Sequence, residues 1–176
     1  MRAIFLALLP LIAFAGSPAA AQQNPVVVEL FTSQGCSSCP PADALLKELA
    51  KRDDVIALAL HVDYWDYLGW EDGFAHPKFT KRQKGYAKAM RKRSVYTPQM
   101  IVNGQDRLVG HDVENILGII RSHQRQPANV DVGLARSGDD LRIRLEPRKG
   151  NIGLVDVHII KITPESTVEI KAGENE

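Results

Sequence analysis

Hydrophobic and polar positions alternate in blocks that predict a strand, helix, strand, helix, hairpin, helix order. Val26–Phe31, "VVVELF", is an apolar run broken by one acid, the pattern of a strand covered on both faces. "ADALLKELAKR" sets Leu45, Leu46 and Leu49 on one helical face and ends in Lys51 and Arg52, charges suited to a helix C-terminus. Val55–Val62, "VIALALHV", predicts a second buried strand. "DYWDYLGWEDGFAH" is aromatic-rich, has two glycines and no period, and reads as a long loop. Pro77–Arg93 predicts a basic helix. "TPQMIVNGQDRLVG" reads as a β-hairpin, with Asn103–Gly104 supplying the positive φ angles of a two-residue turn. "HDVENILGIIRSHQRQ" has Asp112 as N-cap and Val113, Ile116, Leu117 and Ile120 on one side of a helix. Beyond Pro127 the period changes to two, as in Leu141, Ile143 and Leu145, with "SGDD" and "RKGN" as turns. Four short antiparallel strands are expected there. The fold class is therefore α/β, a layered sandwich whose first strands run parallel through right-handed crossovers, with an antiparallel β extension.

The N-terminus adds a compartment. Met1–Ala21 has one base, Arg2, then the apolar run "AIFLALLPLIAFA" and small residues at Ala19 and Ala21, the order of a secretory signal peptide cut after Ala21. The run is 13 residues with Pro10 inside it, against about 20 for a membrane span. No other stretch of the sequence suffices to cross a bilayer, so the mature form is expected in the periplasm or secreted. It carries 21 basic and 21 acidic residues, a balance that selects no partner class. Export and the lack of any recognisable nucleic-acid motif point away from nucleic acid. The expected division is a signal peptide over 1–21, an α/β domain over 22–126 and a β-rich extension over 127–176. Residues 78–93 hold eight basic side chains and no acid, which reads as a solvated helical face or a site for an anionic partner.

Both cysteines of the chain lie in "TSQGCSSCPPAD", Thr32–Asp43, between the first strand and the first helix. A zinc site generally wants four ligands, so His61, His76 or His111 would have to complete it. A structural disulfide over so short a loop restricts the unfolded chain only weakly. Redox exchange fits best, because a C-x-x-C between strand and helix of an α/β chain is a strong signal. Cys36, ahead of the helix and expected nearer solvent, is the candidate nucleophile; Cys39 is the resolving thiol. Unpaired N–H groups and the positive end of the helix dipole favour thiolate there. Pro40 and Pro41 sit early in the helix, where a missing N–H costs little.

With "VVVELF", "CSSCP" and "TPQMIVNG" in this order, the chain resembles the thioredoxin superfamily from about Val26 to Arg125. The resemblance implies a thioredoxin-like three-layer sandwich, with a cis Thr97–Pro98 bond lying against the cysteines and helping to bind the substrate backbone. It also implies that Glu29, a carboxylate on the strand entering the motif, assists proton transfer at Cys39; burial there would raise its pKa. More narrowly, "VVVELFTSQGCSSCPPAD" with "HVDYWDYLGWEDGF" looks like a bacterial family of secreted thioredoxin-like proteins whose function is uncharacterised. That resemblance implies a chain continuing beyond "AGEN" by at least one more strand, so that a sequence ending at Glu176 leaves an open sheet edge.

The functional expectation is an exported thiol–disulfide oxidoreductase acting on protein or small-molecule thiols and disulfides. Cys36, Cys39 and Glu29 would carry the chemistry, and Thr97, Pro98 and Trp65 would hold the substrate. Tyr64, Trp65, Tyr67, Trp70 and Phe74 form either an apolar platform for a peptide or a small core pinning the loop. His61 and Asp63 are further neighbours of the thiolate. No metal and no cofactor is required, since the cysteine pair is itself the redox centre. Two alternatives stand: a copper-binding protein with His61 or His111 as extra ligand, and a redox-inert interaction module with a structural disulfide.

Overall fold

The computed structural model describes residues 25–172 and 174–175; the expected signal peptide lies outside the described residues. Strand β1 (Val26–Thr32) is followed by helix α1 (Pro40–Leu49), strand β2 (Val55–His61), helix α2 (Pro77–Ala89), strands β3 (Gln99–Val102) and β4 (Asp106–Val109) and helix α3 (Val113–Gln124). The four strands form one sheet in the order β2-β1-β3-β4. β1 pairs β2 in parallel, Val26 opposite Val55 through Thr32 opposite His61, and pairs β3 antiparallel. The α/β class read from the sequence is the observed one.

Alternation along β1 divides the core into two layers. Val26, Val28 and Leu30 face α1 and α3 and pack with Leu46, Leu49, Met100, Val102, Ile116 and Ile120. Phe31 faces the opposite side, with Leu60, Val62 and Ile101, and α2 covers it through Phe79 and Tyr86. A strand covered on both faces can be apolar at consecutive positions, which is why "VVVELF" shows no period of two. Helix α1 starts where expected, with prolines at its first two positions, and Asp112 caps α3 through a hydrogen bond from Asn115 N–H at 3.3 Å.

Four local readings need correction. β2 is not buried throughout: as an edge strand it leaves Ile56 exposed. The β3–β4 connection has three residues, because Val102 pairs Asp106. Asn103 and Gly104 do take positive φ, 46° and 69°, and Gln105 N–H closes the turn on Val102 O at 2.9 Å. Val113 stands exposed although Ile116 and Ile120 of the same helix are fully buried. Finally, the described residues of the tail hold two strands, not four. β5 (Val130–Ser137) and β6 (Asp140–Pro147) form a two-stranded antiparallel hairpin. Residues 151–172 enter no strand pairing, and their alternating apolar side chains, Leu154, Val157, Ile159 and Ile162 among them, are exposed. Period two is necessary for a half-buried strand, but a strand exists only where a neighbour accepts its hydrogen bonds.

Candidate functional site

At the C-terminal end of β1 the chain turns through Ser33–Ser38 into α1. Cys36 N–H bonds Ser33 O and Cys39 N–H bonds Cys36 O, each at 3.1 Å. This tight turn brings the cysteine Cα atoms to 5.4 Å, and the sulfurs are joined in a disulfide. Cys39 is the N-cap of α1, so Cys36 lies three residues ahead of it. The prolines at the first two helical positions remove two of the N–H groups that a helix N-terminus normally offers a thiolate. Among the described residues, the polar atoms within hydrogen-bond reach of Cys36 Sγ are the hydroxyls of Thr97, at 3.2 Å, and Ser38, at 3.6 Å. The polar contact at 3.2 Å thus comes from a hydroxyl of a distant segment and not from a backbone amide.

That segment is the entry to β3. The Thr97–Pro98 peptide is cis and Pro98 is buried. Thr97 and the cysteine turn meet although they are 61 residues apart in the chain. The Trp65 indole N–H donates to Thr97 Oγ1 at 2.7 Å. Trp65 also packs on the cysteine turn: a Cβ on Gly35 would meet Trp65 Cβ and its carbonyl oxygen at 3.3 Å, and this contact accounts for a glycine just before Cys36. Trp65 and Tyr64 pack against the Phe31 layer of the core, the pinning role of the two weighed for the aromatic loop. Tyr67 stacks on Trp65 and is 76% exposed. Burial pushes the Tyr64 phenol upward, offset in part by hydrogen bonds to Gln83 and Thr97.

Cys36 is only 3% exposed and Cys39 fully buried, a correction to the expectation of a solvent-facing nucleophile. The carboxamide of Asn175 donates to Gln34 O at 2.7 Å and to Cys36 O at 2.9 Å, covering the turn from outside. Ser37 and Ser38 are the exposed residues of the turn.

Glu29 is 2% exposed and faces α2. Its carboxylate accepts from Arg82 Nε at 2.8 Å and from the Tyr86 hydroxyl, and Arg82 Nη2, 2.7 Å away in the ion pair, donates to the Tyr86 oxygen. Among the described residues no hydrogen bond links Glu29 to either sulfur. Burial, reinforced by the adjacent Glu29, pushes the Tyr86 phenol far upward.

His61 is the last residue of β2, and Asp63 follows it at the start of the aromatic loop. Asp63 Oδ1 accepts from the Thr80 hydroxyl. His61 Nδ1 lies 2.6 Å from Asp72 Oδ2, which also accepts Gln34 N–H at 2.8 Å. Burial pushes the Asp72 carboxyl upward, but the bonds from His61, Gln34 and Phe74 outweigh it and hold the carboxyl below its ordinary value. Asp72 and Asn175 escaped the sequence reading. Both lie in stretches without a period, and nothing in the local sequence announces their long-range partners.

The fold and site define an α/β protein with a C-x-x-C disulfide at the head of a helix, shielded by a cis Thr–Pro entry strand and an aromatic loop. The chain belongs to the family described as "protein of unknown function (DUF1223)", which matches residues 27–176. It is also similar to a protein of Agrobacterium tumefaciens solved by X-ray crystallography as a structural-genomics target. The two are 47% identical with a TM-score of 0.65, over 70% of this chain and 57% of that one. No curated protein matches the chain.

Proposed function

We propose that the protein is an exported thiol–disulfide oxidoreductase with a thioredoxin-like domain over 22–126, acting on protein or small-molecule thiols. The observation that carries this reading is the Cys36–Cys39 disulfide at the head of α1 with Thr97 Oγ1 3.2 Å from Cys36 Sγ, at a cis Thr97–Pro98 bond. In the oxidising direction a substrate thiolate attacks Cys36 Sγ and the disulfide breaks. The bonding pair leaves on Cys39, and a second substrate thiolate then releases the substrate disulfide. Two electrons and two protons remain on the cysteines. The reducing direction runs the same steps backward, with the Cys36 thiolate attacking a substrate disulfide and Cys39 resolving the mixed disulfide. A substrate would approach past Ser37, Ser38 and Tyr67, after the Asn175 contact parts.

Disulfide exchange with a model peptide tests the reading. The wild-type protein should catalyse it and the Cys36→Ser variant should not; equal rates would end the oxidoreductase reading. The near-complete burial of the disulfide favours a second reading, a structural cross-link in a redox-inert module. Equilibration with glutathione separates the two: a structural pair stays oxidised below about −300 mV, whereas a catalytic one exchanges with the buffer.

A further inference from the structure

We propose that Trp65 is a positioning residue for the thiolate of Cys36, acting through the Thr97 hydroxyl. The inference rests on the redox reading for its purpose but not for its geometry. An indole N–H donates and cannot accept, so the 2.7 Å contact between Trp65 Nε1 and Thr97 Oγ1 has one polarity. It occupies a lone pair of the hydroxyl oxygen and leaves the hydroxyl proton free to point elsewhere. The sulfur of Cys36, 3.2 Å away, is an acceptor for that proton, with the Tyr64 phenol oxygen as its competitor.

A second observation gives this hydroxyl its weight. Pro40 and Pro41 take the first two positions of α1 and carry no N–H, and among the described residues no backbone amide donates to Cys36 Sγ. Ser38 Oγ is the remaining polar neighbour, at 3.6 Å on an exposed residue where water competes for it. The Thr97 hydroxyl is consequently the fixed donor available to Cys36 once the disulfide is reduced. Trp65 is itself held by Gly35 below it and by the Phe31 layer of the core, so the orientation is built into packed side chains. A hydrogen bond to the charged form lowers a thiol pKa, and stabilising the thiolate makes the disulfide a stronger oxidant. Trp65 thereby sets the redox poise of the pair through the hydroxyl, its own hydrogen bond going to Thr97 and not to a sulfur.

The test is a titration of the Cys36 thiol in reduced full-length protein carrying Cys39→Ser, followed by thiolate ultraviolet absorbance. Thr97→Val, which removes the hydroxyl and keeps the shape, should raise the Cys36 pKa by about one unit. Thr97→Ser, which keeps the hydroxyl, should leave it close to the parent. Trp65→Phe should raise it by a smaller amount, and adding Trp65→Phe to Thr97→Val should cause no further rise. The relay is overturned by Thr97→Ser and Thr97→Val titrating alike, or by a Trp65→Phe effect undiminished in the Thr97→Val background. Were Trp65→Phe to unfold, the Thr97→Ser and Thr97→Val comparison still decides whether the hydroxyl acts. This titration involves no substrate. The expected pKa shifts without peptide exchange would uphold the relay and sink the oxidoreductase reading; exchange with unmoved pKa values would do the reverse.

Discussion

His61 Nδ1 and Asp72 Oδ2 lie 2.6 Å apart, and the same carboxylate oxygen holds the main-chain N–H of Gln34, two residues before Cys36. Asp72 thus ties the end of β2 and the aromatic loop to the cysteine turn. Its carboxyl, whose ordinary value is 3.8, is held lower in the folded chain because bonds from His61, Gln34 and Phe74 outweigh burial. A depressed acid contributes stability that is complete above the unfolded value and lost as pH falls through the folded one. Asp72→Asn should therefore cost about 2 kcal/mol at neutral pH, and the gap from wild type should narrow below pH 3.8. Urea unfolding of both proteins across acidic pH reads this directly. A gap that stays constant down the scale would show that the Asp72 charge is not what stabilises the turn.

Glu29 presents the case of a buried carboxylate whose partners face away from the sulfurs. Arg82→Met leaves that charge uncompensated and should destabilise the protein by about 3 kcal/mol, toward the low end for buried pairs because Arg82 keeps contact with water. Adding Glu29→Met to Arg82→Met should recover most of the loss. Disulfide exchange by Glu29→Gln, measured where the variant remains folded, should match wild type. A large fall in rate would assign Glu29 the proton-transfer role that its contacts do not support.

The helices, the parallel β1–β2 pair and the cysteine turn were legible because each rests on short-range chemistry: period, caps, prolines and turn glycines. Glu29 as a buried acid was legible too, since an acid inside "VVVELF" has nowhere else to go. Its partner was not, because Arg82 sits on a helix whose basic residues look alike in sequence. Only the helix phase turns Arg82 inward while Lys78, Lys81, Lys84 and Lys88 stay in water. The burial of Cys36 was missed for a related reason, since its neighbours Thr97 and Asn175 meet the turn across 61 and 139 residues. Likewise, the alternation in 151–172 predicts a strand without stating whether a partner edge exists.

Gly110, between β4 and α3, couples the core to Pro98. A Cβ there would stand 2.9 Å from Pro98 Cβ, 3.0 Å from Ala42 Cβ and 3.1 Å from Leu30 Cδ1. The first two atoms are rooted in backbone and cannot swing aside. Gly110→Ala should therefore destabilise by about 2 kcal/mol through overpacking, although alanine usually stabilises where space allows. Thermal unfolding checks the sign. A variant more stable than wild type would mean that the Pro98 and Ala42 segments separate more easily than their packing implies.

Asn175 bonds the cysteine turn from the C-terminal segment, a contact whose bearing on access can be measured. Its amide spans Gln34 O and Cys36 O, and the sulfur beneath is almost sealed from solvent. If reduction by a small thiol must wait for this contact to part, its rate reports the opening equilibrium. Asn175→Ala removes both hydrogen bonds and should speed reduction of the disulfide by dithiothreitol about fivefold, the effect of about 1 kcal/mol on that opening. Global stability should fall by about the same 1 kcal/mol, because the unfolded chain lacks the contact as the open state does. The two measurements together are discriminating: faster reduction with a matching stability loss of about 1 kcal/mol locates the effect at the cover, whereas a stability loss several times larger reflects general loosening. An unchanged rate would mean that thiols reach Cys36 past Ser37 and Ser38 without displacing Asn175 at all.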